Sequence, residues 1–286
     1  MRLDDERDSD NVEDRRGEGG GFSIGGGHIG IGGILIALVA SYFTGFNPMT
    51  LLGLVENTRP VATAPAHRPP ADDPAARFVT KVLASTEDTW TQVFQENGKT
   101  YQDPKLVLFS GSTPTACGAG KSAMGPFYCP MDRKVYIDLD FYRELRDRFH
   151  APGEFAEAYV VAHEVGHHVQ NLLGTSHRIE VAQQQATSKG IANGLSVRLE
   201  LQADCYAGVW GKRADSMKHI LDPGEAEEAI TAASAIGDDR LQEQARGYVV
   251  PDSFTHGSSE QRVRWFKRGF ESGDPKQCNT FKADKI

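Results

Sequence analysis

The residues of this 286-residue chain best suited to chemistry lie in one run, Ala162-His163-Glu164-Val165-Gly166-His167-His168. On a helix each residue turns about 100°, so positions four apart lie about 40° apart and one turn along. His163 and His167 therefore share a face, and two imidazoles at that spacing can bind one metal ion. Glu164 stands one step round, where its carboxylate reaches a metal-bound water rather than the metal. Zinc lowers the pKa of such a water to about 7, and a neighbouring carboxylate can take its proton. His168 points about 100° away from His167 and reads as a packing residue. The five-residue pattern also arises by chance on surface helices. Here Phe155, Ala158, Val160, Val161, Val165, Val169 and Leu172 make the helix apolar, and buried histidines and a glutamate are costly without a partner.

A catalytic zinc needs a third protein ligand and one open position. The best candidate is Glu200, 33 residues beyond His167, in Leu199-Glu200-Leu201-Gln202-Ala203-Asp204. Glu200 and Asp204 share a helix face. With Glu200 on the metal, Asp204 is placed to hold the free N–H of a histidine ligand and fix its tautomer. Further on, His256 precedes a helix that Ser258 and Ser259 can cap, and it could donate a hydrogen bond to the oxyanion of a tetrahedral intermediate. Arg262 is set to pair either with Asp204 or with a substrate carbonyl.

The elements that must position these residues follow from periodicity and punctuation. Helices are expected over Arg77–Gln95, Glu154–Leu173 (stopped by Gly174), Leu195–Lys212, Pro223–Leu241 and Glu260–Phe270. Lys105–Phe109 and Lys134–Leu139 read as strands, and the edge of the second could bind an extended peptide by backbone pairing. Ahead of them, residues 1–27 are charged and then Gly-rich, which predicts a disordered tail. Ile29–Phe46 carries no charge and predicts a single transmembrane helix within residues 28–53. Five prolines between residues 54 and 74 make a stiff spacer, so the folded domain is expected over 75–286.

Net charge is −8, with no domain-wide basic excess, which argues against a nucleic-acid partner. The four cysteines form no C-x-x-C pair. Beyond a membrane segment they fit two disulfides, Cys117 with Cys129 and Cys205 with Cys278, in an oxidising compartment. That favours a single-pass protein of the cell membrane with its large domain outside the cytoplasm, in the periplasm.

Taken together, Ser9–Gly17, Cys129-Pro130, Val135–Asp138, Ala162–Gln170, Glu200–Cys205, Thr255-His256-Gly257 and Trp265–Cys278 resemble the bacterial neutral zinc metallopeptidase family. The resemblance implies an α+β, zincin-like domain, mostly helical with a small sheet. It also implies a gluzincin-like peptidase with zinc on His163, His167 and Glu200 and with Glu164 as general base. Glu200-x-x-Ala203-Asp204 and the His256-to-Arg262 spacing are also similar to the membrane-bound CaaX-type proteases, which implies transition-state roles for His256 and Arg262. The many membrane spans of those proteases are absent. A peptide or protein is the expected substrate. The competing readings are a zinc-binding membrane scaffold without catalysis and a zinc hydrolase of a cell-wall amide.

Overall fold

A computed structural model describes residues 1–17 and 67–286. The transmembrane helix expected over 28–53 and most of the Pro-rich spacer lie outside the described residues. Among those described, no helix is long and apolar enough to cross a membrane.

A four-stranded sheet holds β1 (Val12–Asp14), β2 (Lys105–Phe109), β6 (Lys134–Asp138) and β5 (Phe127–Cys129), in that spatial order. β1, β2 and β6 run parallel, with Val12 beside Leu106 and Leu106 beside Val135, while β5 is antiparallel to β6. Parallel strands are covered on both faces and read as continuous apolar runs. Accordingly Leu106, Leu108, Val135 and Ile137 join the main core, whereas Val107, Phe109 and Tyr136 pack on the other side with Cys129 and Phe127. The strand expected to offer a free edge, β6, is thus an interior strand, because β2 and β5 flank it. The outer strands of the sheet are β1 and β5. A hairpin of β3 (Ser112–Thr115) and β4 (Gly118–Lys121) is tied to β5 by the Cys117–Cys129 disulfide.

The helices are α1 (Pro74–Glu96), α2 (Asp140–Asp147), α3 (Glu154–Leu172), α4 (Thr175–Gln184), α5 (Lys189–Lys218), α6 (Glu225–Ala235), α7 (Asp238–Arg246) and α8 (Ser259–Ser272). α2 and α4 were not expected from the sequence. α5 starts earlier than expected, because Ser188 caps it by accepting from Ile191 N at 3.2 Å. The helix expected over 223–241 is two, parted at Ile236-Gly237, where a Cβ on Gly237 would overlap the backbone nitrogen of Ser259.

Two close helix crossings position the site. α3 meets α5 at Gly166, where a Cβ would lie 3.0 Å from the Ala203 carbonyl oxygen. α5 meets α8 at Gly208 and Gly269, and a Cβ on Gly269 would overlap the Cys205 carbonyl. The Cys205–Cys278 disulfide fastens the same region. Trp210 stacks on Phe155 of α3 with centroids 5.8 Å apart, and both are fully buried.

The N-terminal residues correct the expectation of a tail through residue 27. Residues 1–17 are part of the folded unit. Leu3 and Val12 lie in the core, and β1 pairs along β2. Buried Glu87 of α1 accepts from Ser9 Oγ at 2.6 Å, Asn11 Nδ2 at 2.9 Å and Arg7 Nη2 at 2.7 Å. The domain also begins before residue 75. His67 O accepts from Asp14 N at 2.7 Å, and Asp73 both caps α1 and pairs with Arg16 at 2.6 Å.

Candidate metal centre

α3 carries His163 and His167 on the face turned toward α5, and α5 presents Glu200. One donor atom from each of the three lies within 4.8 Å of the others. His163 Nε2 is 3.1 Å from one Glu200 oxygen, and His167 Nε2 is 3.4 Å from the other. A zinc ion about 2.1 Å from each of two tetrahedral ligands would hold those ligands about 3.4 Å apart. Spacing and donor set, two imidazole nitrogens and a carboxylate, therefore both fit such an ion.

The second ring nitrogens fix the tautomers. His163 Nδ1–H donates to Asp204 Oδ1 at 2.8 Å. His167 Nδ1–H donates to Gln170 Oε1 at 2.9 Å, and the Gln170 amide nitrogen donates to the Leu199 carbonyl at 2.7 Å. A carbonyl only accepts, so the Gln170 amide is oriented and its oxygen must face the histidine. Both Nε2 lone pairs are thereby free for a cation, the arrangement that outer hydrogen bonds to metal-binding histidines impose.

Asp204 is fully buried and collects four donors. Besides His163 they are the Tyr159 hydroxyl at 2.5 Å, Arg262 Nε at 2.9 Å and Arg262 Nη2 at 2.8 Å. Burial alone would raise the Asp204 pKa. The Arg262 guanidinium and then His163 overcome it and hold the carboxyl well below the usual range. Burial likewise opposes charge on His163, but the Asp204 carboxylate prevails and holds that imidazole up at about 10. A cation at Nε2 competes with that proton.

Glu164 is 7 % exposed, and burial raises its pKa against the opposing influence of His163 and His167. It lines a cavity of about 650 Å³ together with His163, His167, Glu200 and His256. His256 presents a half-exposed side chain to this cavity. Its Nδ1 lies 3.2 Å from Asp238 Oδ1, and that hydrogen bond raises the imidazole pKa. The other Asp238 oxygen accepts from the backbone nitrogens of Thr255, His256 and Gly257 at 2.7, 2.6 and 3.1 Å, which sets the whole turn.

A family model described as "Putative neutral zinc metallopeptidase" matches residues 1–281. The chain belongs to that family. It is similar to "Uncharacterized protein YpfJ" of Escherichia coli (strain K12), 55% identical over 287 residues that cover 98% of this chain and 99% of the relative. It is also similar to "Uncharacterized protein Rv2575" of Mycobacterium tuberculosis (strain H37Rv), 44% identical over 219 residues, 73% of each chain. No solved structure matches it significantly. The family description agrees with the resemblance carried by the sequence blocks.

Set against that family reading, the structure brings His163, His167, Glu200, Glu164 and His256 to one cavity and puts Asp204 behind His163. Arg262 lines the same cavity, and its guanidinium is engaged with Asp204. It is 3 % exposed, with Nε and Nη2 on Asp204 and Tyr159 and Nη1 on the Ile236 carbonyl at 3.3 Å. Of its two sequence readings, the pair with Asp204 is the one realised. His168 faces away from the ligands, its ring nitrogens 3.0 Å from the Tyr128 hydroxyl and 2.6 Å from the Gln102 carbonyl. Burial pushes its pKa down to about 4. Sequence reading missed three residues: Tyr159, Gln170 and Asp238. The first two carry a signal, one turn before His163 and one turn after His167 on the same helix. Asp238 carries none, since it reaches His256 only through the tertiary fold.

Proposed function

We propose that the chain is a zinc-dependent metallopeptidase that cleaves peptide bonds with water as nucleophile and Glu164 as general base. The observation that carries this reading is the convergence of His163, His167 and Glu200 within one cluster, beside a cavity that Glu164 and His256 also line. Bound there, zinc would supply Lewis-acid polarisation of the scissile carbonyl and acidify a water. The Glu164 carboxylate takes a proton from the attacking water and later hands it to the leaving amine nitrogen, a role its burial-raised pKa suits. His256, held at Nδ1 by Asp238 and lining the cavity, donates from Nε2 to the developing oxyanion. Arg262 acts on none of the reacting atoms and keeps Asp204 ionised behind His163.

A peptide is favoured over a cell-wall amide by the strand beside the cavity. β5 is an outer strand of its sheet, and its Phe127 and Tyr128 line the cavity, so an extended chain can pair along that edge. Attachment to a membrane through the uncharged Ile29–Phe46 run, in an oxidising compartment, belongs to the same proposal. Its support is the run's hydropathy and the two disulfides.

The test is Glu164→Gln in the full chain. It should retain zinc at the wild-type ratio while cleavage of an unstructured protein such as casein falls by about 10²-fold or more. Undiminished cleavage would remove Glu164 from the mechanism. A zinc-loaded wild-type chain that cleaves wall fragments but no peptide would favour the amide-hydrolase reading, and one whose cellular role survives Glu164→Gln would favour the scaffold.

A further inference from the structure

The catalytic cavity continues past Glu164 into an apolar recess. Val160 lies one turn before Glu164 on the same face of α3 and is 5 % exposed. Phe141 in the first turn of α2 and Phe149 just beyond its end reach the same cavity, their rings 6.3 Å apart and tilted by 45°. Met124, on the short turn before β5, closes the remaining side with a side chain left 63% exposed. Two charged residues stand against this apolar wall. The Arg148 guanidinium lies 5.0 Å over the Phe149 ring and 3.7 Å from Glu144.

These four side chains do not serve the metal, and none contributes a polar group to the recess. Phe141, Phe149 and Met124 keep apolar surface in contact with solvent, a cost of roughly 25 cal/mol per Å² that an apolar partner would relieve. The recess is continuous with the ligand cluster, and its floor residue shares a helix face with the general base. Whatever fills it must therefore sit beside the bond being broken.

We propose that this recess is a specificity subsite for one bulky apolar side chain, aromatic or long aliphatic, on a residue flanking the scissile bond. The proposal rests on the peptidase reading above and adds its substrate class. Phe149 and Phe141 are the walls that read the side chain, and Val160 sets the depth. A small or charged side chain leaves the aromatic walls wet or buries an unpaired charge. One to three kcal/mol of discrimination in such a pocket amounts to about 10- to 200-fold.

The experiment uses the full-length, zinc-loaded chain and a randomised peptide mixture, with cleavage sites read by mass spectrometry. A second measurement is direct binding of two peptides, identical except for Phe or Ala at the preferred position, to the non-cleaving Glu164→Gln chain. Expected is an enrichment of about tenfold or more for Phe, Leu or Met over Ala and Asp on one side of the cut, and matching tighter binding of the Phe peptide. Phe149→Ala should collapse the Phe-to-Ala ratio toward one. Val160→Phe should fill the recess and shift preference to small side chains, with zinc content and thermal midpoint confirming that the variants are folded. Cleavage without side-chain preference, or a preference that both variants leave unchanged, overturns the subsite while the peptidase reading stands. Absence of any peptide cleavage by the zinc-loaded wild type overturns the peptidase reading as well.

Discussion

Replacing Arg262 separates the two roles its position allows. Arg262 and Asp204 are 3 % and 0 % exposed and share two charge-assisted hydrogen bonds of 2.9 and 2.8 Å. Removing one partner of a buried pair costs about 3–5 kcal/mol, because the other charge stays buried and unpaired. Asp204 would keep the Tyr159 hydroxyl and His163 as donors, which puts Arg262→Met at the low end, about 3 kcal/mol. For a domain of this size that corresponds to a drop of about 6–12 °C in thermal midpoint. An Asp204 carboxylate no longer pinned also holds His163 less firmly, and loss of such outer contacts weakens metal binding by about 10- to 100-fold. The assays are urea and thermal unfolding of the full chain, zinc affinity by competition with a chelator, and steady-state kinetics at saturating zinc. Arg262→Lys, which keeps charge but not the two-pronged geometry, should fall between. If Arg262→Met instead keeps wild-type stability and zinc affinity and loses only kcat, Arg262 touches the transition state and the buried-pair argument is wrong.

Three other outcomes are expected. Asp238 raises the His256 pKa, so the imidazolium persists to higher pH than an ordinary histidine. Its pairing stabilises the fold fully below the unfolded-state value and is lost as pH rises through the folded one. Asp238→Asn should therefore move the alkaline limb of kcat/KM to lower pH, and an unmoved limb would detach His256 from the rate. The Cys205–Cys278 link closes 73 residues and Cys117–Cys129 closes 12, which in the chain-entropy picture are worth about 4 and about 3 kcal/mol. Cys278→Ser should then lower the urea midpoint more than Cys117→Ser, and the opposite order would contradict that picture. Single cysteines at exposed Asp8 and Asp147, probed on intact cells with a membrane-impermeant maleimide, should behave alike, both labelled or both protected. Labelling at one site only would place the N-terminus and the main domain on opposite sides of a membrane.

The candidate metal cluster was legible where one helix carries its residues. His163, Glu164 and His167 are fixed by helical spacing alone, and Glu200 with Asp204 by the same spacing on a second apolar helix. Ser258 as the cap of α8 could also be read, and it does form a capping box with Gln261. Roles that depend on how helices meet could not be read. Arg262 had two partners open to it until the glycine crossing of α5 and α8 set it against Asp204. Asp238 lies 18 residues before His256, and the two meet only because the chain breaks at Gly237 and turns. The free strand edge was assigned to β6 rather than to an outer strand. Alternation reveals which face of a strand is buried but not which neighbours it acquires.

The largest departure from sequence expectation lies at the N-terminus, and its cause is physical. Asp4 to Arg16 is so charged that no local reading would bury it, because several of its partners are distant: Glu87 and Asp88 on α1, Lys134 on β6, Lys218 at the end of α5. Paired with those groups, the segment supplies the outer parallel strand of the sheet. The pairing also bears on the membrane. Val12–Asp14 enters the sheet before the uncharged Ile29–Phe46 run, and His67 returns to the same strand after it, hydrogen-bonded to Asp14. A chain that crossed a bilayer once between those points would put two halves of one sheet on opposite sides. Two crossings would need about 40 apolar residues, and the whole stretch from Ile29 to Val55 is 27 residues long. The single-pass topology expected from hydropathy and the strand pairing of β1 therefore exclude one another. Maleimide labelling at Asp8 and Asp147 decides between them: like labelling follows from the pairing of β1 with β2, unlike labelling from a single crossing.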